Sequence, residues 1–211
     1  MAPKGNNMRK ITVAGLTALA LTVWLSFSAQ ATLIVDTGQP PPTYYSGVSL
    51  YSGQSFAGQF TISQEYEVTS VQGWMGAAYY NGGGSLTAAI LTDTGGVPGT
   101  TLFSQDFTVP GYLSGAAWNG PTGLNWDLPA GTYWVAFVPI SCDEYMPPNA
   151  PHPLALYAYN LGAGWVPVNA DYDWVGIQVE GNLAAVPLPG TLLLLGSGLT
   201  SLGALRRFRK S

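Results

Sequence analysis

The sequence predicts an all-β body: an antiparallel β-sandwich or jelly roll. Short β-prone runs recur along it, separated by Gly, Pro and Asn turns. No stretch of the body keeps a helical hydrophobic period long enough to make a helix. Aromatic residues make up 12% of the chain, so it can build a core despite 27 glycines and 16 prolines. Residues 32–185 read as one domain. A body of that length buries roughly 68–70% of its unfolded surface.

Ten runs read as strands in chain order. They are Leu33–Asp36, Ser55–Ile62, Glu67–Met75, Ser85–Thr92, Leu102–Val109, Leu124–Leu128, Thr132–Val138, Leu154–Tyr159, Trp165–Val168 and Trp174–Glu180. In the third run Val68, Ser70, Gln72 and Trp74 point one way and Val71 the other, an imperfect alternation. Thr132–Val138 is mostly apolar, as expected of a central strand. Ser85 to Val109 reads as two strands around Asp93-Thr94-Gly95-Gly96-Val97-Pro98-Gly99, where Asp93 is expected to brace its own turn. Asn182 to Ala185 remains as a linker, and no internal repeat is present.

The two ends of the chain are addresses rather than fold. Lys4, Arg9 and Lys10 form a basic n-region, Ile11 to Phe27 an uncharged h-region, and Ala29-Gln30-Ala31 an A-x-A site. Residues 1–31 therefore read as a signal helix, with cleavage expected before Thr32. Met8 is an alternative start, and an uncleaved anchor is the alternative reading. At the other end, residues 186–211 carry Val186-Pro187-Leu188-Pro189, then an uncharged stretch from Leu188 to Leu205, then Arg206, Arg207, Arg209 and Lys210. As a helix, Leu188–Leu205 spans roughly 27 Å, enough for a thin bilayer core. The basic end is expected to stay cytoplasmic.

That tail resembles the PEP-CTERM sorting signal of Gram-negative bacteria. The usual pattern is Val-Pro-Glu-Pro, a short hydrophobic helix and an Arg-rich terminus. Val186, Pro187 and Pro189 match it, and Leu188 stands where glutamate is usual. The resemblance implies a partner, the membrane-embedded cysteine peptidase exosortase, which cuts near the Pro element. It also implies a route: a transient inner-membrane intermediate, then the cell surface or extracellular matrix, often in exopolysaccharide or biofilm. The layout of Ser85–Val109 and Leu128–Val135 is likewise similar to β-sandwich ectodomains found in front of bacterial sorting anchors. The alternative reading of the tail is a plain C-terminal anchor.

Charge narrows the function further. All seven Lys and Arg lie at residues 4, 9, 10, 206, 207, 209 and 210, and all eleven Asp and Glu lie between 36 and 180. The body therefore has eleven acids and no Lys or Arg, a formal charge of −11 against −4 for the whole chain. It cannot neutralise phosphates, so nucleic acid is excluded as a partner. It repels anionic polysaccharides unless cations bridge them. Cys142 is alone, so no internal disulfide forms. Asp143 and Glu144 beside it disfavour the thiolate; as neighbours, these two acids diverge on a strand but converge in a loop.

Catalytic chemistry is sparse. His152, the only histidine, sits in a proline-rich loop, and one His with one Cys builds no zinc site. Asp171 and Asp173 flank Tyr172. They read first as a solvated loop, then as ligands of a Ca²⁺ ion, and least as a glycosidase pair. Aromatics are the better route to a ligand: Trp118-Asn119, Trp165 and Tyr80 suit stacking against a sugar, although tryptophan is also common in sandwich cores. The expectation is an exported, non-enzymatic envelope or matrix protein with no obligatory cofactor. A carbohydrate-binding module is the alternative, and a glycosidase or lyase ranks last.

Overall fold

A computed structural model describes residues 31–41, 47–77, 83–111, 115–168 and 174–184. It is all-β. Among the described residues there are thirteen strands and no helix. The signal helix, the C-terminal membrane helix and the elements Val186–Pro189 and Arg206–Lys210 lie outside the described residues. No described helix is long and apolar enough to cross a membrane.

In chain order the strands are β1 (Thr32–Asp36), β2 (Val48–Tyr51), β3 (Ser55–Ile62), β4 (Tyr66–Ala77), β5 (Gly84–Asp93), β6 (Pro98–Val109) and β7 (Ala117–Asn119). They continue with β8 (Thr122–Leu128), β9 (Gly131–Ser141), β10 (Asp143–Met146), β11 (Tyr157–Asn160), β12 (Trp165–Val168) and β13 (Ile177–Leu183). Two antiparallel sheets result. The first runs β1-β13-β4-β10-β2, with β7 and β8 also paired to β4; the second runs β12-β11-β3-β9-β5-β6.

The sheets share one core. Val35, Leu50, Val71, Met75, Ile177 and Val179 come from the first, and Phe56, Phe60, Leu86, Ile90, Val135 and Phe137 from the second. This is the arrangement of a sandwich. One open side is closed by Trp126 of β8 stacking on Phe103 of β6, with centroids 5.5 Å apart and planes 9° from parallel.

β9 lies between β3 and β5, as its apolar run predicts. Both of its faces are buried. Val135 and Phe137 enter the shared core, while Trp134 and Ala136 join a second cluster on the outer face with Ala57, Ala89, Leu91 and Ala158. Cross-strand register places Ala158, Ala57, Ala136 and Ala89 in one row.

β4 carries a bulge between Val68 and Ser70, so Val68 and Val71 are both core residues and Trp74 lies on the opposite face from Val71. One extra residue shifts the phase of the strand, which is why its alternation looks imperfect. The run placed at Leu154–Tyr159 becomes strand only at Tyr157, and that placed at Trp174–Glu180 is Ile177–Leu183. Asn182 and Leu183 therefore belong to a strand, not a linker. β2, β7 and β10 were not expected; each has only three or four residues.

Register also orients the sandwich. Thr32 pairs with Gly181, Leu183 with Tyr66, Tyr66 with Leu128, and Ile62 with Gly131. Both ends of the described body thus meet at one end of the sandwich. Ala77, Glu144, Gly84 and Ser141 lie at the other. The twelve residues of β4 run between the two ends, a distance of roughly 40 Å.

Candidate functional site

The expected glycan contacts do not converge. Trp118 and Asn119 sit on β7 and pair with Trp74 and Gly73 of the first sheet. Trp165 is on β12, at an edge of the second sheet, paired with Asn160. Tyr80, Asp171 and Asp173 lie outside the described residues. Trp118 meets Trp74 edge-on, with centroids 5.4 Å apart and an interplanar angle of 74°. Asn119 Nδ2 donates to the carbonyls of Met75 and Ala117, both at 3.0 Å. Both amide hydrogens are thereby committed to the fold. Of the expected signal-cleavage residues, Ala31 precedes β1, Thr32 opens it, and Ala29 lies outside the described residues.

Among the described residues, the carboxylate with the most hydrogen-bond partners is Asp93. Its Oδ1 accepts from Gln59 Nε2 at 2.7 Å and from Trp134 Nε1 at 2.8 Å, and its Oδ2 from the Gly96 amide at 3.2 Å. The turn also closes through the Thr94 amide and the Val97 carbonyl at 2.9 Å. Asp93 does brace its own turn, as expected, and it also anchors β3 and β9. Burial raises its pKa, but the bonds from Trp134, Gln59, Gly96 and Gly95 outweigh burial and hold it below the usual carboxylate value.

Glu144 is the exceptional group. On β10, Asp143 faces solvent and Glu144 is fully buried, so the two acids diverge. Glu144 Oε1 accepts from the Gly83 amide at 3.0 Å, whereas Oε2 is buried without a hydrogen-bond partner. Burial first, and Asp143 second, push its pKa up to about 7 against the pull of the Gly83 bond. Cys142 is half-buried beside it. Burial, then Glu144 and Asp143, raise that thiol to about 12, which makes it a passive thiol. Alternation offered a signal for the buried acid: Glu144 and Met146 share a face, and Met146 is a core residue.

A groove of about 360 Å³ opens between β1 and β3, under the 153–155 loop. Ile34, Phe60 and Leu154 give it an apolar side, and Asp36 a polar one. Asp36 Oδ1 is engaged by the Gly38 amide at 2.9 Å and by Gln178 Nε2 at 3.2 Å. His152 is exposed and contributes its backbone amide to the Thr37 carbonyl at 2.8 Å. Among the described residues, no three His, Cys, Asp or Glu side chains converge in a way that could hold a metal ion.

No protein-family model matches the chain, and no curated protein sequence matches it.

Proposed function

We propose that this chain is an exported, non-enzymatic β-sandwich protein of the envelope or extracellular matrix, sorted through a PEP-CTERM-like tail. The observation that carries the reading is the order of segments in the sequence. An export signal at residues 1–31 precedes the body, and a proline element, an uncharged stretch and a basic stop follow it. The partner is an exosortase-type peptidase, reached through a transient inner-membrane stage. The destination is the cell surface or matrix of a Gram-negative bacterium, in association with exopolysaccharide or biofilm. A body with eleven acids and no Lys or Arg suits a hydrated, repulsive matrix component.

The test is deletion of Val186–Ser211 in the native host. The truncated chain is expected to lose its sorting to the surface. Unchanged secretion and surface delivery would refute the sorting role.

A carbohydrate-binding reading has less support. Trp118 and Trp165 stand on different sheets, and both amide hydrogens of Asn119 are already bonded. For a glycosidase or lyase, Asp93 and Glu144 offer little, one committed to three donors and the other sealed from solvent.

A further inference from the structure

The sorting element begins almost where the fold stops. Leu183, the last residue of β13, pairs with Tyr66, and the next amide, Ala184, donates to the Glu65 carbonyl at 3.1 Å. Only Ala185 separates Ala184 from Val186. Two residues reach at most about 7 Å. A peptidase takes its substrate extended over several residues on both sides of the bond it cuts. Residues still held in a sheet cannot enter such a cleft.

We propose that the sandwich stands end-on against the membrane and that its own fold restrains its release. Asn182 and Leu183 must peel from β4, and Ala184 from Glu65, before the tail can be cut. The proposal rests on the sorting reading above. Cutting consumes one water: the body leaves with a new carboxylate, and the membrane fragment keeps the amine.

The end of β13 is built to peel. Up to Gly181, β13 is held on both edges, by β1 and by β4; among the described residues, Asn182 and Leu183 pair with β4 alone. A bulge between Glu180 and Gly181 separates this last stretch from the rest of the ladder. Asn182 Oδ1 is buried with no hydrogen-bond partner, and Leu183 is 52% exposed. Ile177 and Val179, before the bulge, are fully buried and hold the core while the end opens. Local openings of this size cost far less than global unfolding. The same end of the sandwich carries Glu65, Glu67, Asp127 and Glu180.

The experiment compares three full-length chains in the native host: the natural one, one with about eight Gly and Ser residues inserted after Ala185, and Asn182→Val. Release of the body into the medium is followed by pulse-chase. The insertion frees the cleavage region from the sheet and is expected to speed release by about threefold or more. Asn182→Val removes the unpartnered oxygen and adds a β-branched residue, so release is expected to slow. Equal release rates for all three overturn the proposal and leave the sorting reading standing. No release from any of them refutes the sorting reading, and this proposal with it.

Discussion

Trp134 donates its indole N–H to Asp93 Oδ1 at 2.8 Å, tying β9 to the start of the β5–β6 turn. A body without Lys or Arg cannot satisfy a half-buried acid with a salt bridge. It uses neutral donors instead: an indole, the Gln59 amide and the Gly96 backbone. The same bond lets Trp134, the largest fully buried side chain among the described residues, lie on an outer sheet face without losing its donor.

Removing the Asp93 carboxylate strands three donors at once: Trp134 Nε1, Gln59 Nε2 and the Gly96 amide. Asp93→Ala is expected to cost about 2–3 kcal/mol, and Trp134→Phe, which removes one donor and some volume, about 1–2 kcal/mol. Chemical denaturation gives both values. Because the Asp93 pKa is lowered in the fold, its stabilisation is present above the ordinary value of 3.8 and is lost as pH falls through the folded value. Asp93→Asn should therefore flatten the acid limb of the stability curve.

Glu144 has the opposite sign. Its folded pKa lies near 7, above the ordinary 4.5. Well below pH 4.5 it is protonated in both states and costs nothing. As pH rises toward 7 the unfolded chain releases a proton that the fold retains, so stability falls. Glu144→Gln removes that penalty, which reaches up to about 3 kcal/mol. The variant's melting temperature should match the natural chain near pH 4 and exceed it at pH 8. Parallel curves across this range would contradict the buried acid.

Gly84 marks a close approach of two strands. A Cβ there would stand 2.2 Å from the Ser141 carbonyl oxygen and 2.7 Å from Cys142 Cα, both backbone atoms. β5 and β9 would have to separate at this end. Gly84→Ala is expected to destabilise the body by about 2 kcal/mol or more, measured by thermal melting. The bond between the Gly83 amide and Glu144 should weaken with it.

Trp118→Ala loses an edge-on contact with Trp74, worth about 1 kcal/mol beyond the buried area. Trp165→Ala loses packing on the outer alanine cluster. Both variants should melt earlier and keep the natural chain's retention on neutral polysaccharide columns. Selective loss of retention in either would favour the carbohydrate-binding alternative.

Legibility in the sequence followed element length and burial. Ser55–Ile62 and Trp165–Val168 were readable to the residue, because turn residues bound them on both sides. Thr132–Val138 read as central because a strand buried on both faces has no reason to alternate. β2, β7 and β10 escaped notice, since three or four residues of mixed polarity carry no measurable period. The bulge in β4 hid Val68 among the polar positions. The expected sugar contacts rested on residue type alone, and type does not say on which sheet a tryptophan falls. Asp93 was legible as a turn acid. Its bonds to Gln59 and Trp134 depend on strand order, which local sequence does not contain.

On the proposed reading the chain is exported, trimmed at both ends and released. The intact mass of the protein recovered from medium and from membranes of its native host tests it most directly. Trypsin mapping would fail, because residues 32–185 hold no Lys or Arg. The expected species is released, begins at Thr32 and ends near Val186. A species found only in membranes and still carrying Arg206 to Ser211 would contradict it and make the tail a plain anchor.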